Sequence, residues 1–317
     1  MLQQIVDWSL YSLINLNAES KAVQSLNFFI YDSIKILLLL FFMILVVGYF
    51  RTYITPEKIK RLLSGKRQGA SNFFASIFGA VTPFCSCSSI PLFLGFLEAG
   101  VPLGITFSFL ITSPLVNEYL LVLMFGFFGW KITLAYAICG ILIGTISGMI
   151  LGKMGLEKHL VKDMKVKSTK EEIYNDYKER LRFGYDEAKS IVKKLWIWII
   201  VGVGVGAIIH NYVPTETMQN IVSAGGIFAV PLAVILGVPL YGSCAAIVTI
   251  AIVLFQKGVP LGTALAFMMA ISALSFPEAI MLRRAMKLKL ILIFFGIVTL
   301  SIIIVGYLLN FFHSFLG

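Results

Sequence analysis

Long apolar stretches separated by three basic blocks constrain this chain more than any other feature. The blocks fall at residues 51–67, 153–194 and 283–289. Most of the stretches between them approach the ~20 residues that a bilayer core requires of one helix. Composition agrees: 58% of the 317 residues are hydrophobic and 13% charged, with a mean hydropathy of +0.90. Soluble domains do not look like this, and the chain reads as an all-α polytopic membrane protein. The formal charge of +10 would suit nucleic acid, yet its clustering between apolar spans is the pattern of membrane orientation. A nucleic-acid partner is therefore excluded, and the lipid bilayer is the expected surrounding.

The blocks also predict a topology. Residues 1–29 mix apolar positions with Asp7, Glu19 and Lys21 and read as an interfacial amphipathic segment. A first span follows over 33–50. The block behind it carries Arg51, Lys58, Lys60, Arg61, Lys66 and Arg67 against Glu57, so it belongs in the cytoplasm of a cell (inner) membrane protein. Residues 153–194 hold twelve basic and eight acidic side chains and predict a charged, helical, cytoplasmic linker. Both termini then lie outside. The linker divides a first membrane unit, 30–152, from a second, 195–317. No Lys or Arg precedes Lys21, and no small-residue cleavage pattern follows an apolar core, so the first segment is expected to be retained.

Within the apolar stretch 71–97, the run Gly79-Ala-Val-Thr-Pro-Phe-Cys-Ser-Cys-Ser-Ser-Ile-Pro91 stands out. Pro83 and Pro91 each remove a backbone donor, which predicts a helix break near Thr82 and unpaired backbone at membrane depth. Thr82, Ser86, Ser88 and Ser89 surround that break with hydroxyls, and Cys85 and Cys87 add thiols. A structural kink needs no such cluster, and the run is read as a binding site. The four cysteines, Cys85, Cys87, Cys139 and Cys244, all fall in apolar spans, which argues for free thiols rather than a disulfide framework.

The second unit echoes the first. Gly100-Val-Pro-Leu-Gly104 recurs as Gly258-Val-Pro-Leu-Gly262, and Pro83-Phe-Cys-Ser-Cys-Ser-Ser89 is answered by Pro239-Leu-Tyr-Gly-Ser-Cys-Ala-Ala246. Downstream, residues 113–118 are answered by 272–278, each with a small polar start and an acid at its end. The basic blocks orient the first helices of the two units oppositely. The expected architecture is thus two inverted-topology repeats. An odd number of crossings per unit requires one apolar stretch to enter and return on the same side. The broken stretches 69–97 and 221–255 are the natural re-entrant hairpins, with tips bearing Cys85 and Cys87, and Cys244. Alternating access by rocking of the halves follows from such a fold. No Walker sequence or acidic pair for Mg²⁺ is found, and neither a cofactor nor an enzymatic reaction is expected.

Other polar residues divide between path and packing. Asn117 and Glu118, read as lying in mid-helix, are candidates for coupling or for lining a path. Ser113, Ser272 and Glu278 join them by position, while Glu278 also lies near Arg283 at the inner interface. Cys139 has no counterpart in the other unit and is assigned to packing. His159, His210 and His313 have no ligand spacing, so no metal site is expected. Trp8, Trp130, Trp196 and Trp198 fit interfacial belts.

Thr82-Pro-Phe-Cys-Ser-Cys-Ser-Ser-Ile-Pro91, followed by Glu98-Ala-Gly-Val-Pro-Leu-Gly104 and Ser113-Pro114, resembles the predicted permeases of the ArsP type over essentially the whole chain. The resemblance implies a secondary permease, some members of the family exporting trivalent organoarsenicals such as methylarsenite. Softness makes that coherent: trivalent arsenic is thiophilic, and a monomethyl arsenical offers two exchangeable positions to thiols. Cys85, Cys87 and Cys244 would contact such a small-molecule substrate, with Thr82, Pro83, Ser86, Ser88, Ser89 and Ser243 around it. A carrier of a small sulfur-containing metabolite is the second reading. A membrane thiol-disulfide oxidoreductase would want exposed cysteine pairs that this chain lacks.

Overall fold

The computed structural model describes residues 2–13, 20–52, 68–82, 86–98, 100–161, 176–212, 225–240, 244–283 and 285–316. Among them the chain is helical, and its β contact is one isolated antiparallel bridge between Leu160 and Met286. In order these are α1 (Leu2–Asp7), which runs into a wider turn at Trp8–Leu13, then α2 (Lys21–Arg51), α3 (Gln68–Val81), α4 (Ser86–Glu98), α5 (Leu103–Leu115) and α6 (Glu118–Lys153). After a short turn of helix at Leu156–His159 come α7 (Tyr177–Tyr212), α8 (Ala229–Gly237), α9 (Cys244–Gln256), α10 (Leu261–Ala273), α11 (Phe276–Leu282) and α12 (Leu288–Leu316).

Among the described residues, four stretches are long and apolar enough to cross a membrane: Ala22–Val46, Glu118–Lys153, Leu261–Leu282 and Leu288–Phe312. Helices α3, α5, α8 and α9 are apolar but too short to cross alone. Their unpaired ends are tolerated at depth only when other helices surround them, and α5 and α10 are buried along nearly their whole length.

Proline and glycine set the breaks. Helix α3 stops at Val81, ahead of Pro83. In the pentapeptide Gly100-Val-Pro-Leu-Gly104, Gly100 takes a left-handed φ of 76° and ends α4. Its amide donates to Leu97 O at 3.0 Å, and that of Val101 to Phe96 O at 2.9 Å. This double bond pattern satisfies the last carbonyls of a helix and needs a residue without Cβ strain. Pro102 then starts α5 at a φ of −53°, where its missing N–H costs nothing. Gly258, φ 87°, repeats the arrangement with bonds of 3.0 Å to Phe255 O and 3.1 Å from Val259 N to Leu254 O, and Pro260 starts α10 at −54°.

The correspondence extends beyond that turn. Helices α4 and α9 are both 13 residues long, as are α5 and α10, and each pair starts 158 residues apart. A Cβ on Gly79 would lie 2.9 Å from Phe109 O, and one on Gly237 would lie 3.1 Å from Phe267 O, the same contact in the same register.

Several boundaries differ from the sequence reading. Helix α2 begins at Lys21, not near residue 33, and so takes in the end of the segment assigned to the interface. Helix α7 begins at Tyr177 and runs unbroken through the expected boundary at 194/195, because nothing between Tyr177 and Tyr212 is a proline. The span expected over 259–282 is two helices, separated at Leu274 and Ser275. Glu118 is not in mid-helix: Asn117 caps α6, its side chain accepting from Leu120 N at 2.9 Å, and Glu118 opens the helix and is exposed.

Small residues bring the helices together. Gly140, Gly144, Gly148 and Gly152 recur every fourth residue on the face of α6 that meets α5, where small side chains let backbones approach in a bilayer. Helix α6 meets α12 through Ser147 and Ser301, 3.0 Å apart, and Phe107 of α5 stacks on Phe294 of α12 at 5.4 Å. Helices α2 and α7 lie antiparallel along their lengths, with Gly48 against Gly184, Gly204 against Phe29, and Arg180 Nη1 donating to Thr52 O and Oγ1 at 3.1 and 3.0 Å. Past the end of α6, Val161 N donates to Ala285 O at 3.0 Å and Lys287 N to His159 O at 2.9 Å, clasping residues 159–161 to the loop ahead of α12.

Candidate functional site

The break between α3 and α4 is the place to build from. Thr82 closes α3, its Oγ1 donating back to Phe78 O at 2.8 Å and Gly79 O at 3.2 Å. Pro83, Cys85 and Ser243 lie outside the described residues. Ser86, Cys87 and Ser88 form the first turn of α4, and Cys244 is the first residue of α9. The 158-residue register therefore matches Cys244 to Ser86, with Cys85 and Cys87 to either side. The first-turn amides of both short helices have no intrahelical acceptor.

One turn further along α4, Ser89 is fully buried and its Oγ lies 2.7 Å from Ser113 Oγ on α5. Two sequence-predicted site residues are brought together here. Ser113 precedes Pro114, the penultimate residue of α5, and that helix gives way at Val116 to the Asn117 cap. In the other unit, Ser272 Oγ donates to Met268 O at 3.0 Å within its own helix, and Glu278 is 1% exposed in the first turn of α11. The register pairs the caps Asn117 and Ser275. Ser113 is accordingly matched to Ile271, one residue away from the pairing that the sequence suggested.

A second cluster escaped the sequence reading. Asn72 on α3 is 2% exposed, and its Nδ2 donates to Gly104 O at 3.0 Å and Ser108 Oγ at 2.8 Å. Thr145 Oγ1 on α6 lies 3.0 Å from Ser76 Oγ, and Thr112 Oγ1 donates to Ser108 O at 2.9 Å. At the matching positions of the second unit stand Val230, Val234, Ala266, Ala270 and Ile303. All five are apolar, so this network has no counterpart 158 residues on. The available signal was Asn72, an amide inside an apolar helix. Cys139, half-buried on α6, packs against the core as expected.

Apolar helices too short to cross alone, packed among longer ones with hydroxyl and amide groups buried between them, are the arrangement of a multi-pass membrane protein. The chain belongs to the ArsP-type predicted permease family, whose model matches residues 21–311. UPF0718 protein YcgR of Bacillus subtilis is 23% identical over 299 residues, which cover 92% of this chain and 97% of its own. A Streptococcus mutans protein named as a subunit of a two-component membrane permease complex is 25% identical over 209 residues, 64% of this chain and 67% of its own. UPF0718 protein MJ0584 of Methanocaldococcus jannaschii is 19% identical over 292 residues, 74% and 80% of the two chains. No solved structure matches.

Proposed function

We propose that this permease is a secondary-active exporter of a small thiophilic compound, of the class of trivalent organoarsenicals such as methylarsenite, and that it works through two halves of inverted topology. The observation that carries the architecture is the constant 158-residue register between matching helices. The same register takes α2, residue by residue, onto α7, and those two lie antiparallel. A two-fold operation that exchanges antiparallel neighbours has its axis perpendicular to them, hence in the plane of a membrane that they cross. Helix pairs α3–α4 and α8–α9 would then be re-entrant hairpins from opposite sides, with both termini outside and the charged 153–194 linker in the cytoplasm.

The substrate reading rests on chemistry at the breaks. Thiols at Cys85, Cys87 and Cys244 suit a soft centre. Hydroxyls of Thr82, Ser86, Ser88 and Ser243 would surround it, with the Ser89–Ser113 pair bracing the site from behind. Asn117, Glu118, Ser272 and Glu278 would line the path or carry the coupling proton.

The test is uptake of methylarsenite into everted vesicles, wild type against Cys85→Ser, Cys87→Ser and Cys244→Ser. Accumulation abolished by the cysteine changes supports both substrate class and site. Transport of a sulfur-containing metabolite that survives all three would favour the second reading. Failure of wild type to move methylarsenite, in vesicles that hold a proton gradient and folded protein, ends the arsenical assignment.

A further inference from the structure

The clasp between the end of α6 and the start of α12 gathers charge of one sign at a fixed depth. The apolar stretch Glu118–Lys153 ends there and Leu288–Phe312 begins there. Residues 154–161 and 285–287 therefore lie at the level of lipid headgroups when the two helices cross a bilayer. Gly155, at a left-handed φ of 59°, turns the chain behind α6. The two backbone bonds of the clasp then hold residues 159–161 against 285–287, and Lys287 Nζ donates to Lys158 O at 3.5 Å across a separation of 129 residues. Lys289 follows in the first turn of α12.

Basic residues beside a membrane span are an ordinary orientation signal. Their arrangement here is not set by that rule. Free interfacial lysines relieve repulsion by swinging apart, whereas Lys158 and Lys287 are fixed side by side through their backbones. Together with desolvation, the largest cause, the charges of Lys289, Lys158 and Lys287 all lower the proton affinity of one ring, His159, so the three converge on a single place. Among the described residues none of the three lysines has a carboxylate partner, and Glu157 beside them is exposed and forms no ion pair. A shared anion relieves such a cluster.

The surface next to the lysines is apolar. Leu288 and Leu292 on α12 are 54% and 63% exposed, and Met154 behind α6 is 48% exposed. Leu292 lies four residues after Leu288 and three after Lys289, which places all three on one side of α12. A phosphate alone would use the lysines and leave the leucines uncovered. A phosphate carrying hydrocarbon meets both.

We propose that the clasp binds an anionic phospholipid, its phosphate held by Lys158, Lys287 and Lys289 and an acyl chain lying along Leu288 and Leu292. The lipid would pin the end of the first membrane unit to the last helix of the second. The inference stands on the clasp alone and is independent of the transported substrate.

The experiment is native mass spectrometry of the purified full chain titrated with phosphatidylglycerol, with phosphatidylcholine and inorganic phosphate in parallel. The expected result is one phosphatidylglycerol retained in preference to phosphatidylcholine and not displaced by inorganic phosphate. Lys158→Gln, Lys287→Gln and Lys289→Gln should each weaken it about fivefold, and the three together roughly a hundredfold. Lys178→Gln, Lys189→Gln and Lys193→Gln, an equal loss of charge from exposed positions of α7, should leave it unchanged. Melting temperatures of the single variants identify any that lose the fold, and the remaining ones still read the site. Equal retention of phosphatidylcholine, displacement by inorganic phosphate, or equal weakening by the α7 changes would each overturn the proposal.

Discussion

The hydroxyl oxygens of Ser89 and Ser113 lie 2.7 Å apart with both residues fully buried, joining the helix that carries the cysteine run to the helix behind it. Hydrogen bonds between membrane helices contribute about 0.6 kcal/mol on average and up to about 1.7 kcal/mol. Ser89→Ala and Ser113→Ala should each destabilise within that range and lower transport. The double substitution should cost less than the sum, which a double-mutant cycle by denaturant titration in bicelles would measure.

Asn72 should matter more than either serine. Asn72→Val, which copies the residue at the matching position Val230, removes donors to Gly104 O and Ser108 Oγ together. A loss of about 1–2 kcal/mol is expected from two interhelical bonds. Thermal melting would read it, and a variant as stable as wild type would show the amide to be dispensable.

The α5–α6 contact has no room for side chains. A Cβ on Gly148 would meet Ser108 Oγ and lie 2.7 Å from Gly104 O, whereas one on Gly296 of α12 has nothing within 4 Å. Gly148→Val should cost at least about 1–3 kcal/mol and reduce the folded yield. Gly296→Ala should leave stability unchanged or slightly raised, since alanine is the better helix former. Yield of monodisperse protein in detergent separates the two.

His159 gives the clasp between residues 159–161 and the loop ahead of α12 a pH dependence. Desolvation of its ring, joined by the charges of Lys289, Lys158 and Lys287, holds it below the ordinary imidazole value against the opposing pull of a backbone hydrogen bond at Leu156. The folded chain therefore binds this proton less readily than the unfolded one. The resulting stability is present above about pH 6.5 and is lost as pH falls through the folded value. His159→Gln should flatten that part of a melting-temperature profile taken between about pH 7.5 and pH 5.

Much of the fold was legible in the sequence because it depends on local chemistry. Pro83 stops α3 wherever its neighbours lie, and a glycine followed by Val-Pro ends one helix and starts the next, so one pentapeptide gives the same turn at Gly100 and Gly258. Helix ends without such a signal were misplaced. Nothing in residues 21–33 or 177–194 tells a membrane helix from its extension, because that depends on what lies alongside. The polar network on Asn72 was hidden for a related reason: serines and threonines scattered in apolar helices carry no register that says which of them will meet.

By itself, then, the sequence determined that this chain enters a membrane, where its helices break, and which residues stand at the breaks. These follow from apolar length and from the backbone limits of proline and glycine, which act within a few residues. Only the tertiary structure decided that Ser89 would face Ser113, that Asn72 would hold α3 to α5, and that the charged half of α7 would lie beside the apolar half of α2. Such pairings are fixed by close approach between helices distant in sequence, where glycines admit the backbone of a neighbour and the alignment of whole helices selects the partner.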